Sequence, residues 1–183
     1  MTGPSGPQPG PGLLALLRED VETHERFLTR PGLHALVVYR IGAWAADQPP
    51  WLRYPVGLLY RLVNTLLIRN VYGTEIGRTT VIGRRVKLGH HQGVVLGYST
   101  VIGDDCLIRQ GVTLGQSNDE GRGDDQPVVG NGVEFGAGAT VIGRVRIGDG
   151  ARIGPNALVT RNVPAGAVAF APPARIIAPP SQD

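Results

Sequence analysis

The chain has 183 residues, enough for one domain with a buried core or one domain plus a helical appendage. Its 18 Lys and Arg against 15 Asp and Glu leave a formal charge of +3, and without a helix-turn-helix or an aromatic-interleaved basic strand this excludes nucleic acid as the expected partner. A single cysteine, Cys106, excludes disulfides within the chain, and no stretch is apolar and uncharged for long enough to span a membrane.

The opening MTGPSGPQPGPG offers almost nothing to bury, and its Pro and Gly suit a disordered tail over residues 1–12. No charged segment followed by an apolar run and a cleavage site begins the chain, so a cytoplasmic location is expected. Residues 13–30 mix apolar and charged positions at helical spacing, with Pro31-Gly32 as the expected stop. A second helix is expected in LHALVVYRIGAWAAD, ending at Pro49-Pro50. A third runs from Trp51 to about Tyr72 with leucines on more than one face, interrupted by Arg53, Arg61 and Arg69. Such a helix needs a neighbour, either the base of the following unit or another subunit, and a membrane-surface contact is a lesser alternative.

From Gly73 the pattern changes. Ile76, Ile82, Leu88, then Leu96, Ile102, Ile108, Leu114, then Val129, Phe135, Val141, Ile147, Ile153 and Val159 recur every six residues. A helix repeats at 3.6 residues and a strand at 2, so a sustained period of six predicts a repeat architecture, a parallel β-helix built from hexapeptides over residues 73–168. A small or branched residue four places after each beat, such as Thr80, Val86, Thr100, Cys106, Ala139 and Ala157, is the second inward position. The glycine that commonly follows the beat, as at Gly77, Gly83 and Gly103, is expected to give the corner its backbone freedom. Cys106 falls on an inward position and reads as a small buried hydrophobe.

The beat breaks twice. Between Leu88 and Leu96 stands Gly89-His90-His91-Gln92-Gly93, and after Leu114 comes a polar insertion over residues 116–128. Repeat proteins place such excursions at corners, commonly on the binding face. A histidine near neutrality can take a proton from a hydroxyl and return it to a leaving group, and a carboxylate that fixes its tautomer strengthens it. Glu75, nearly one coil below His90, is the candidate carboxylate. His91 and Gln92 flank the base as candidate acceptor contacts. Adjacent histidines cannot both ligate one ion comfortably and nothing nearby completes a set, so no metal is expected. The run Gly136-Ala137-Gly138-Ala139-Thr140 keeps the six-residue phase and lacks the strand–turn–helix of a phosphate loop, so it reads first as packed corners that leave room for a narrow ligand.

The helical N-terminus, VYGTEIG, LGHHQGVVLG, VIGDDCLIRQGVTLG, FGAGATVIG and APPARII follow one another in an order that resembles the serine O-acetyltransferases over roughly residues 33–177. The chain is most similar to a short branch that includes acetyltransferases of exopolysaccharide assembly. The resemblance implies a left-handed β-helix that forms a homotrimer, with acetyl-CoA in the groove between subunits and hexamers as a further option. It implies His90 as general base and Glu75 as the acid that orients it. It also implies a cofactor groove lined by Gly111, Thr113 and Gly115, by Gly136 to Thr140, and by Ala169, Ala171 and Arg175.

Two departures bear on the acceptor. Gly89 stands where the family usually has Asp before the catalytic His, and Asp125-Gln126 stand before Pro127 where it has an Arg-His pair. Arg pairs bidentately with a carboxylate, so Asp in its place sets like charge against the carboxylate of serine. The loop residues Asp119, Glu120, Asp124, Asp125 and Gln126 are expected to select the acceptor. The sequence therefore reads as an acetyl-CoA-dependent O-acetyltransferase whose acceptor is L-serine, a sugar or a secondary-metabolite hydroxyl. N-acetylation of an amino-sugar, or a scaffold that has lost catalysis, are the alternatives.

Overall fold

A computed structural model describes residues 11–117 and 125–175. Along it every beat residue from Ile76 to Val159 is at most 6% exposed, and so are the partners four places later in the regular coils, from Thr80 and Val86 to Ala151 and Ala157, whereas Gln92, four after Leu88, is exposed. Each strand is only two or three residues long because a hexapeptide must also turn a corner. The strands are β1 (Glu75–Ile76), β2 (Val81–Ile82), β3 (Lys87–Leu88), β4 (Val95–Leu96), β5 (Val101–Ile102), β6 (Leu107–Ile108) and β7 (Thr113–Gly115). They continue as β8 (Val128–Val129), β9 (Glu134–Phe135), β10 (Thr140–Ile142), β11 (Arg146–Ile147), β12 (Arg152–Ile153), β13 (Leu158–Val159) and β14 (Val168–Ala169).

Successive strands go to successive faces, giving three parallel sheets: β1-β4-β7-β10-β13 on the first face, β2-β5-β8-β11 on the second and β3-β6-β9-β12-β14 on the third. The result is a left-handed parallel β-helix. Registers are in phase, with Ile76 on Leu96 and Leu114 on Val141, so like side chains stack up the interior. Burial of each large aliphatic contributes roughly 1.5–3 kcal/mol, and the stack forms one continuous core. At the first interruption two extra residues are absorbed in the corner, and Val94, fully buried, restores the phase.

The glycines after the beat do a different job from the one the sequence suggested. None of Gly77, Gly83, Gly103, Gly136 or Gly148 has positive φ; the left-handed conformation falls three places after the beat, at Arg85, Ser99, Asp105, Gly111, Gly132, Gly138, Gly150 and Asn156. Glycine follows the beat because coils meet there: a Cβ on Gly103 would lie 2.5 Å from the Gly130 carbonyl oxygen, and one on Gly83 2.5 Å from the Gly103 carbonyl carbon. An Asx ladder reinforces one edge, where Asp104 Oδ1 accepts from Arg84 N–H, Asn131 Oδ1 from Asp104 N–H and Asp149 Oδ1 from Asn131 N–H, all at 2.7–2.8 Å.

Three helices precede the strands: α1 (Leu13–Thr23), α2 (Pro31–Ala46) and α3 (Pro50–Val63), the last running into a π-helical turn at Asn64–Arg69. The first is shorter than its periodicity suggested, because Glu25 and Arg26 both adopt φ of 60° and end it. Pro31 opens α2 at the N-terminal position where its missing N–H costs nothing, rather than stopping a helix before it. Gly32 lets α2 approach β3 so closely that a Cβ would sit 2.3 Å from the Leu88 oxygen. It is α2, through Ala35, Leu36 and Tyr39, that closes the base of the core, and α3 packs across α2 as the outer layer.

The tightest basic cluster is paired with carboxylates of α1, of the turn after it and of the next coil. Arg84 pairs with Glu19, Lys87 with Glu25 at 2.5 Å, and Arg85 with Asp105 at 2.6 Å. Cys106 is buried, its thiol pushed up to about 11 by desolvation.

Candidate active site

The two interruptions lie on different edges of the prism. His90 and His91 occupy the corner between the third face and the first, after β3 and before β4. The insertion leaves after β7 on the first face and returns at β8 on the second. The width of the first sheet separates them within one chain.

The histidine corner is held from below. Thr74 Oγ1 donates to the His91 carbonyl at 2.7 Å, and Gly93 N–H donates to the Gly73 carbonyl at 2.9 Å. The His91 ring stands edge-on to Tyr72 with centroids 5.2 Å apart. Tyr72 O is 3.0 Å from His34 Nδ1, and His34 Nε2 lies 2.6 Å from the Leu28 carbonyl. His34 and Tyr72 were not legible as supports, because contact between helix and corner exists only in three dimensions. His91 is half-buried, and desolvation, followed by the charge of His90, lowers its pKa. Its imidazole is thus kept neutral and packed. His90 is exposed and makes no hydrogen bond among the described residues, so its ring is open to an incoming group.

A cavity of about 630 Å³ opens at His90, lined also by His91, Arg30, Lys87 and Arg109. Arg30 and Lys87 both pair with Glu25, whereas Arg109 has no ion pair among the described residues. Gln92, next along, is exposed.

Glu75 sits on β1, directly beneath Val95 of β4, on the first face. Its carboxylate accepts from Arg69 Nη2 at 3.2 Å, and it lines a separate, smaller cavity with Arg78 and Tyr98. The ion pair is nearly half exposed on both sides, so it holds the carboxylate weakly.

Along the edge above His91 the corners stack as a column. Gly93, Gly111 and Gly138 lie one above another with positive φ, and a Cβ on Gly111 would be 3.4 Å from the Gly138 Cα. Beside the column, Thr113 and Thr140 are register partners on the outer surface of the first sheet, with Gly115 opposite Ile142. Ala139 points into the core, so only its backbone faces outward, while Gly136 and Ala137 are half-buried at the corner. Ala169 belongs to β14 on the third face, and Ala171 and Arg175 follow it in the chain.

The neck of the insertion is tied by residues that the sequence marked for acceptor binding. Asp125 accepts from Ser117 Oγ at 2.5 Å, from Ser117 N–H at 3.1 Å and from Arg144 N–H at 2.9 Å. The Ser117 hydroxyl and N–H hold its carboxyl below the usual range. Gln126 is buried, accepting from Thr100 Oγ1 at 3.2 Å and donating to Gln116 Oε1 at 3.3 Å. Asp119, Glu120 and Asp124 lie outside the described residues. Among the described residues no group of three His, Cys, Asp or Glu stands together as a metal site would require.

Residues 126–161 match the bacterial transferase hexapeptide family (six repeats). A serine acetyltransferase of Helicobacter pylori is 38% identical over 167 residues, covering 88% of this chain and 92% of that protein. One of Synechococcus elongatus is 39% identical over 153 residues, which are 84% of this chain and 59% of the relative, and this chain spans only 53% of the Escherichia coli K12 enzyme. Among solved structures, a soybean serine acetyltransferase complexed with serine superposes with a TM-score of 0.76 at 30% identity, covering 92% of this chain and 70% of that one. A Brucella abortus serine acetyltransferase in complex with coenzyme A gives 0.75 at 27% identity, covering 92% and 68%. An exposed histidine on the widened corner of a hexapeptide β-helix, with near full-length similarity to the Helicobacter protein, makes this chain a member of the serine acetyltransferase family.

Proposed function

We propose that the protein is an acetyl-CoA-dependent O-acetyltransferase acting by direct attack in a ternary complex. The observation that carries this is His90, an unpaired, exposed imidazole at the mouth of a cavity and at the foot of a column of small-residue corners. His90 takes the proton of an acceptor hydroxyl as its oxygen attacks the thioester carbonyl. When the tetrahedral intermediate collapses, the C–S bond breaks and the imidazolium returns the proton to the departing coenzyme A sulfur. Orienting His90 is the role assigned to Glu75, and it requires release of Arg69, a change that costs little because the pair is exposed.

The acceptor follows from charge at the cavity. Arg109 sets a guanidinium beside His90 with no carboxylate partner among the described residues, which suits an acceptor carrying a carboxylate, L-serine first. Asp125 and Gln126 are spent within the neck of the loop, so they offer little to a sugar. The groove for acetyl-CoA runs up the Gly111, Thr113, Gly138 and Thr140 strip, with Gly136 and Ala137 at its edge and Ala169, Ala171 and Arg175 contributed from the third face.

Because His90 and the insertion stand on opposite edges of the first sheet, a site that uses both needs two chains, and a closed homotrimer supplies three such pairings. The test is coenzyme A release followed with a thiol reagent, with L-serine, sugars and amino-sugars as acceptors. Turnover led by L-serine supports the reading. Turnover confined to sugars refutes the role given to Arg109, and absence of both turnover and acetyl-CoA binding refutes the enzyme.

A further inference from the structure

The outer side of α3 carries an apolar surface that the candidate site does not use. Trp51 is 75% exposed, Leu58 60%, Leu62 51% and Leu66 62%, and they recur at helical spacing along a single stripe continued by Tyr54 and Leu59. The opposite side of the helix is already satisfied, with Tyr60 buried against Gly42 of α2. An aliphatic and aromatic stripe of this extent on a water-facing helix calls for a covering partner.

The charges around the stripe identify the partner. Residues 48–74 contain three arginines, Arg53, Arg61 and Arg69, and no Asp or Glu. Arg53 and Arg61, together with Arg78 from the first corner of the β-helix, line a cavity of about 530 Å³ beside Tyr54 and Leu58. None of these three has an ion pair among the described residues, whereas Arg69 is occupied by Glu75. A second copy meeting this stripe two-fold would set arginine against arginine, since an isologous contact repeats the same patch, while a three-fold contact here is the outcome that dissociation by Leu62→Glu would reveal. A surface that is apolar inside and negative at its rim fits without that conflict. That is the profile of an anionic lipid bilayer, where apolar side chains enter the acyl boundary, Trp and Tyr lie at headgroup level and arginines meet phosphates.

We propose that α3 is an interfacial docking helix that seats the protein on anionic membranes, lying in the plane of the headgroups. It does not span: no helix among the described residues is long and apolar enough to cross a bilayer. His90 lines a cavity without α3 residues, whereas Tyr60 and Arg61 of α3 line the cavity that holds Glu75.

The experiment is co-sedimentation of the full chain with vesicles of phosphatidylcholine alone or with phosphatidylglycerol, at low and high salt. Oligomeric state is measured in parallel by analytical ultracentrifugation. The expected result is binding to phosphatidylglycerol vesicles that weakens with salt and is absent on phosphatidylcholine. Leu62→Glu should abolish it, and Arg53→Gln and Arg61→Gln should each weaken partitioning about five-fold. All three variants should keep the wild-type oligomeric state. No binding to either vesicle overturns the proposal. So does dissociation of the oligomer by Leu62→Glu, which assigns the stripe to a second copy. Binding to phosphatidylglycerol that Arg53→Gln and Arg61→Gln leave unchanged also overturns it, because the rim then plays no part.

Discussion

Arg40 and Asp20 form an ion pair, Nε to Oδ2 at 3.1 Å, sealed between the helices and the first coil with side chains 5% and 1% exposed. Arg40 also donates from Nη1 and Nη2 to the carbonyls of Ile82 and Gly83, each at 2.6 Å. One guanidinium thereby ties α1, α2 and the second face of the β-helix together. Removing one partner leaves the other charged and buried, so Asp20→Ala and Arg40→Ala are each expected to lower stability by about 3–5 kcal/mol, measured by urea unfolding. Arg40→Met with Asp20→Leu should recover much of the loss, since apolar replacement of the whole pair is far less costly.

His24 stands beside that pair, fully buried, its Nδ1 2.8 Å from the Asp20 carbonyl and its Nε2 without a partner among the described residues. Desolvation is the main cause of its lowered pKa, outweighing the backbone of Asp20. The unfolded chain therefore binds the proton more readily than the folded one. Stability is complete above the unfolded value near 6.5 and falls as pH drops through 6.5 toward the folded value. In urea titrations from pH 8 to 5 the wild type should lose stability over that window. His24→Asn, which can still donate to the Asp20 carbonyl, should show a flatter profile.

Two histidines side by side are expected to behave very differently. His90→Ala should reduce acetyl transfer by at least the 10²–10⁴-fold that general-base catalysis contributes, with the oligomer intact. His91→Ala removes a packed, neutral ring and leaves the backbone carbonyl that Thr74 holds, so only a several-fold loss is expected. Steady-state kinetics of both variants decide the assignment, and equal losses would refute it.

Glycines of two kinds can be told apart by alanine. Gly103→Ala drives a Cβ to 2.5 Å from backbone and should cost more than 3 kcal/mol or prevent folding, because coils cannot separate locally. Gly150→Ala meets open space and carries only the left-handed penalty, about 1–2 kcal/mol. Thermal or urea unfolding of the pair measures the difference.

Cys106 should resist a thiol reagent in the native protein at pH 8 and react fully in denaturant. Burial, with the thiol pushed up to about 11, leaves almost no thiolate to attack. Rapid labelling of the native chain would show that the coil at β5–β6 opens.

How far the sequence reached depended on the range of the interaction. The six-residue beat named the inward side chains of the regular coils from Ile76 to Val159, though not Val94 or Gln126 beside the interruptions, because a hexapeptide repeat writes its core locally and each coil copies the one below. The same regularity marked His90–Gln92 and the 116–128 insertion as the places where the chain leaves the pattern. The sequence could not show that those two places occupy different edges of the prism, nor that Asp125 and Gln126 close the neck of the loop, since both facts depend on which face each strand occupies. It missed the buried Asp20–Arg40 pair and the Leu28–His34–Tyr72–His91 chain because their members are distant in sequence and carry no period. It also gave the glycines after the beat the wrong task, since the closeness of stacked coils is a property of neighbours a whole coil away in the chain. Periodic burial is dictated residue by residue along the chain, whereas charge pairing, corner position and coil-to-coil contact are decided only when the turns are wound.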